Sequence, residues 1–195
     1  MKEHIFPYAS FIGGWYIPQS ICSNIVDYFN EKKKENLTYK GEVVNYGTIR
    51  VAKEVKDSED LEIHPNNSET PFKEYRDYLQ KSLEKYLEKY TMLNKVSHFN
   101  LTVGYIIQHY KKGGGFKIYH CERGALEHCS RQLVFMTYLN DIEEGGGTEF
   151  YYQKIITPAK KGLTLLWPTD WTHTHRGQVS NTEEKYIVTG WFNYV

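Results

Sequence analysis

From residue 96 to the C-terminus, short apolar runs alternate with clusters of glycine, proline and asparagine or aspartate. The runs fall at 103–110, 133–139, 148–152, 162–167 and 185–192, and the breaks at 113–115, 140–147, 158–161 and 168–169. Tyrosine and tryptophan favour half-buried pleated surfaces, and the 17 Tyr, 9 Phe and 4 Trp of this chain strengthen a sheet-rich reading. Many short strands at this spacing predict a sandwich or jelly roll.

The first half carries two helical patterns. One begins near Ser20, a residue able to cap exposed amides, and places Ile21, Ile25, Tyr28 and Phe29 on one face. The other has Pro71 at its first helical position and an apolar stripe of Phe72, Tyr75, Leu79, Leu83, Tyr86, Leu87 and Tyr90. Both stripes predict packing against a sheet. Residues 39–67 are polar, with an alternating stretch Thr48-Ile49-Arg50-Val51-Ala52. That stretch predicts a strand or hairpin, followed by a mobile connection through Lys56-Asp57-Ser58-Glu59-Asp60; a segment such as 43–67 is a candidate lid. With no internal repeat or linker, residues 1–195 are expected to form one domain: 1–95 as helical and strand support, 96–195 as a jelly-roll core. The predicted class is mainly β with flanking helices (α+β), the helices lying on one sheet.

Global charge excludes little but points away from nucleic acid: 24 basic and 24 acidic residues balance, and no basic stripe stands out. Cys22, Cys121 and Cys129 are an odd, sparse set without a CxxC, which suits a reducing compartment. No apolar run is long enough for a secretory signal or a membrane span, so the expectation is a soluble cytoplasmic protein.

Eight histidines are present. His4 and His64 sit in polar sequence and read as surface residues; His98 and His109, near or in strand patterns, read as hydrogen-bonded core residues. His128 lies in a segment of uncertain structure. His120-Cys121-Glu122 has the form His-x-carboxylate. On an extended strand, residues two apart project to one face, so imidazole and carboxylate can meet a single ion. A second imidazole from another strand would complete a facial triad suited to Fe(II), with three coordination positions open. With 24 acidic residues and eight histidines, the tripeptide alone is a weak signal. His173 and His175 both offer the second imidazole.

The order of motifs makes the signal specific. Gln108-His109-Tyr110, the turn Gly113-Gly114-Gly115 and His120-Cys121-Glu122 come first. Tyr138-Leu139-Asn140-Asp141 and Gly146-Gly147-Thr148-Glu149-Phe150 follow, then Pro158 with the run 162–168, and last His175-Arg176-Gly177 with Lys185 ten residues on. This series resembles the prolyl 4-hydroxylase-like branch of the 2-oxoglutarate/Fe(II) oxygenases over roughly residues 103–194, about half the chain. The resemblance implies a double-stranded β-helix, with Fe(II) held by His120, Glu122 and His175, and His173 in the surroundings or at the pocket mouth. It implies 2-oxoglutarate and O2 as co-substrates and ascorbate as an optional accessory. Lys185 would pair with the far carboxylate of 2-oxoglutarate, and Tyr110 and Tyr138 would hydrogen-bond it. Thr189 and Trp191, on the face of Lys185 by strand alternation, would line the same pocket. The implied substrate is a prolyl residue in a peptide or protein, with small molecules also open and no nucleic-acid or membrane partner. Position 122 departs from the family's usual aspartate. A cupin-like dioxygenase independent of 2-oxoglutarate, and a non-catalytic binding module on the same fold, are the competing readings.

Overall fold

The computed structural model describes residues 1–45 and 48–195; Tyr46 and Gly47, within the expected lid span, lie outside the described residues. The strands of the first half are β1 (Gly13–Tyr16), β2 (Tyr39–Lys40), β3 (Val43–Asn45), β4 (Thr48–Arg50), β5 (Lys56–Asp57) and β6 (Glu59–Ile63). The second half holds β7 (Phe99–Asn100), β8 (Tyr105–Tyr110), β9 (Gly115–Phe116), β10 (Arg131–Tyr138), β11 (Thr148–Phe150), β12 (Ile155–Ile156), β13 (Leu163–Pro168), β14 (His175–Gly177) and β15 (Lys185–Tyr194). Helices α1 (Gln19–Lys34) and α2 (Phe72–Lys89) complete the frame.

The large antiparallel sheet runs β1-β13-β10-β15-β8-β6-β2, with β7 also paired to β15, and a small sheet runs β12-β11-β14. Each of the five expected runs of the second half contains a strand. The period-2 alternation along β10 assigns its two faces. Leu133 and Phe135 face α1 and α2, where they join Ile25, Phe29, Phe72 and Tyr75. Val134, Met136 and Tyr138 face inward, with Phe150, Leu165 and Trp167. Strand β15 repeats the pattern, with Val188 and Phe192 toward the helices and Ile187 inward. Phe29 and Phe72 are fully buried, which contributes roughly 1.5–3 kcal/mol each. The predicted jelly roll with helices on one sheet is the observed fold.

Some local expectations change. Helix α1 starts at Gln19 after Pro18 and has no side-chain cap, so Ser20 lies inside the helix rather than at its cap. Helix α2 starts at Phe72, with Pro71 just ahead of it. The expected mobile connection at 56–60 is instead anchored. Strand β5 pairs with β9 and β6 with β8, and the buried Lys56 ammonium meets the buried Asp60 carboxylate at 2.5 Å. His98 is exposed, whereas His109 is buried against Tyr186 and Phe29 with Nε2 at 2.9 Å from Glu184. No helix among the described residues is long and apolar enough to cross a membrane.

Candidate metal centre

His120 and His175 are joined by their own backbones: each amide donates to the other's carbonyl at 2.9 Å. This isolated bridge brings the two imidazoles side by side, with ring centroids 4.5 Å apart and planes tilted by 54°. The chain then leaves extended geometry. The amides of Glu122 and Arg123 both donate to the Thr169 carbonyl at 3.1 Å, and Glu122 sits in a turn. Convergence therefore comes from a bridge followed by a turn, not from one regular strand.

The rings are oriented from behind. His120 Nδ1 lies 3.1 Å from the Ile118 carbonyl, and His175 Nδ1 lies 2.8 Å from the His173 carbonyl. A proton on each Nδ1 satisfies those acceptors and leaves each Nε2 lone pair facing inward. The two Nε2 atoms stand 3.4 and 3.5 Å from Glu122 Oε1. Phe116 stacks on His120 at 3.8 Å, and Trp167 meets His175 edge-on at 5.1 Å. Among the described residues these three are the one group whose ligand atoms lie close enough to share an ion, all within 4.8 Å. Without a metal, burial opposes the charge on Glu122, but hydrogen bonds and charge from His120 and His175 in their protonated forms outweigh it and hold the carboxyl well below its usual range; a cation between the neutral rings would take over that role. Burial, with His120 close by, lowers the pKa of His175 and favours the neutral imidazole that a metal needs.

The triad opens onto a cavity of about 390 Å³. Lys185 lies on its wall, 6% exposed, and burial lowers its pKa to about 8. Its Nζ donates to the Gly146 carbonyl at 3.1 Å and lies 4.9 Å from the centroid of the Tyr110 ring. Gly146 adopts φ +70°, a conformation side chains resist, and so presents that carbonyl. Among the described residues no carboxylate pairs with Lys185, although a buried ammonium is costly without one. The donor set fits its expected occupants: two imidazoles and a carboxylate for ferrous iron, and an uncompensated buried cation for a dicarboxylate.

The remaining expected site residues divide. Tyr110, Thr189 and Trp191 line the cavity. The Tyr110 hydroxyl donates to Gln108 Oε1 at 2.6 Å, and the Thr189 hydroxyl donates to the Phe135 carbonyl at 3.3 Å. Tyr138 is set behind the wall, fully buried, its hydroxyl 2.9 Å from Thr148 Oγ1 and 2.8 Å from Thr157 Oγ1; Thr148 lines the cavity in its place. His173 lies in a 3-10 turn, not a strand, so it does not share the direction of His175. Its Nε2 turns to the Ser10 carbonyl at 2.9 Å. Two lining residues carried no sequence signal. Lys56 reaches the cavity from β5, and Arg131 reaches it from the start of β10, where Trp191 Nε1 and Arg131 Nη1 approach Glu122 Oε2 at 3.0 and 3.5 Å.

The model of the 2OG-Fe(II) oxygenase superfamily matches residues 105–193, a span that contains the triad and Lys185. No curated protein sequence matches the chain. Among solved structures, a Pseudomonas putida prolyl-4-hydroxylase superposes with TM-score 0.70 at 14% identity, covering 93% of this chain and 92% of that one. The viral collagen prolyl hydroxylase of Paramecium Bursaria Chlorella virus-1 superposes with TM-score 0.67 at 19% identity, covering 95% and 97%. A Trichoplax adhaerens prolyl hydroxylase superposes with TM-score 0.74 at 12% identity, covering 95% and 84%. The matched segment aligns this chain with the 2OG-Fe(II) oxygenase superfamily, on the architecture of its prolyl 4-hydroxylase-like branch.

Proposed function

We propose that this chain is a 2-oxoglutarate-dependent Fe(II) dioxygenase that hydroxylates a C–H bond of a prolyl residue in a peptide or protein. The observation that carries this reading is the pairing, across one cavity, of the His120–Glu122–His175 cluster with the buried Lys185, which has no carboxylate partner among the described residues. His120, Glu122 and His175 would hold the iron, and Lys185 would hold the far carboxylate of 2-oxoglutarate with Tyr110 beside it. When bound, iron with 2-oxoglutarate and O2 supplies the oxidising power that converts a C–H bond to C–OH. The chain's own part is to position and to exclude water. The carbonyls of Ile118 and His173 fix the ring orientations, and Phe116, Met136 and Trp167 provide apolar wall around the reacting space. The viral neighbour's structure is a 2OG complex, which supports the choice of co-substrate. The Trichoplax neighbour is in complex with a hypoxia inducible factor peptide fragment, which supports a peptide substrate.

The test is an anaerobic titration with Fe(II) and 2-oxoglutarate, followed by O2 and a peptide library. A visible charge-transfer band of the chelate and peptide-dependent succinate are expected. Iron binding with no succinate from any peptide would leave a binding module, and succinate without hydroxyproline would displace proline as the target.

A further inference from the structure

The triad accounts for one oxygen of Glu122; the other is engaged as well. Trp191 Nε1 donates to Oε2 at 3.0 Å. Arg131 Nη1 donates to the backbone carbonyl of the same residue at 3.0 Å and meets Oε2 at 3.5 Å. The Arg131 guanidinium in turn lies 3.6 Å from the centroid of the Trp191 ring. One residue is thus gripped at its backbone and its side chain by two groups stacked on each other.

Arg131 owes this position to a break in register. Its partner on β15 is Asn193, while Leu133 pairs with Phe192, so two steps along β10 match one along β15. Leu133 faces the helices, and simple alternation would send Arg131 there too. The bulge instead turns it to the cavity side, a common way for a sheet to re-aim a side chain beside a site.

We propose that Arg131 and Trp191 act as a positioning clamp on Glu122 Oε2, leaving Oε1 alone to face the two imidazoles and fitting this centre to glutamate rather than aspartate. The inference rests on the reading of His120, Glu122 and His175 as the metal site. A carboxylate with both oxygens free can take two positions on an ion, and a glutamate has one more torsion than an aspartate with which to do so. Two donors on Oε2 restrict that freedom. On this backbone an aspartate at 122 would carry the same carboxylate roughly 1.5 Å, one C–C bond, closer to Cα, so it would not meet both the imidazoles and the indole N–H where Glu122 does.

The experiment is a Co(II) titration of the intact protein, read by its visible d–d spectrum, as a double-mutant cycle. Trp191→Phe removes the N–H and keeps an aromatic face for Arg131; Arg131→Lys keeps the charge and loses the stacked fork. In the Glu122 background each is expected to weaken Co(II) binding by about tenfold or more and to alter the band shape. In the Glu122→Asp background both effects should nearly vanish, because the shorter carboxylate does not reach the clamp. Equal losses in both backgrounds, or unchanged affinity and spectrum for Trp191→Phe alone, would overturn the clamp while leaving the metal site standing. Absence of Co(II) binding by the unmutated protein would overturn both.

Discussion

At the scale of the residue, Lys185 is a buried cation on the cavity wall. Burial brings its pKa from the usual 10.5 to about 8, so the free protein loses the ammonium as pH rises past that value. The proposed dicarboxylate binds the charged form. Its affinity should therefore hold below pH 8 and fall about tenfold per unit above it. Stability moves the other way: the folded chain holds its proton less tightly than the unfolded one, so unfolding becomes harder as pH rises from about 8 toward 10.5. Calorimetric titration of 2-oxoglutarate at pH 7 and pH 9 checks the first trend, and a flat profile removes Lys185 from this role. The histidines make a second contrast. His175→Ala is expected to abolish iron binding. His173→Ala should leave iron bound and cost about 1–3 kcal/mol for the buried Ser10 carbonyl it strands. Equilibrium dialysis with Fe(II) distinguishes the two, and the reverse pattern would exchange their assignments.

At the scale of the element, β5 and β6 tie the N-terminal half to the cavity. Lys56 lines the cavity and pairs with Asp60, both with side chains at most 5% exposed, and Ser58 donates to the same carboxylate at 2.7 Å. Breaking one side of such a pair leaves a buried charge alone. Asp60→Asn is expected to cost about 3–5 kcal/mol, whereas Lys56→Met with Asp60→Leu should be close to neutral. Urea unfolding reads both, and a single-mutant cost under about 1 kcal/mol, the range of an exposed pair, would contradict the anchoring. The sequence suggested mobility here because Lys56-Asp57-Ser58-Glu59-Asp60 is uniformly polar. What it could not show is that β9 and β8 arrive to pair with this stretch and bury two of its charges against each other.

At the scale of the whole molecule, the centre joins distant parts of the chain, so its occupant should stabilise the fold as a unit. A metal at about 100 times its Kd adds about 2.7 kcal/mol. For a chain of this size that is a rise in Tm of about 5–10 °C. Differential scanning calorimetry with and without Fe(II) under anaerobic conditions checks this: a chelator should reverse the rise, and His175→Ala should not show it. A rise that survives in that variant would place the bound metal elsewhere. The sequence by itself determined the two-sheet frame, both helices and the stripes they bury, because periods of 2 and 3.6 record which face of each element must leave water. It also singled out His120, Glu122, His175 and Lys185, through residue types held in a recognisable order. Only the tertiary structure decided where side chains point once the chain leaves those periods. A 3-10 turn parts His173 from His175, and a bulge swings Arg131 inward. Each turns on a step of about one residue in register or backbone shape, set by which distant strand pairs with which, and such a step leaves no mark in local composition.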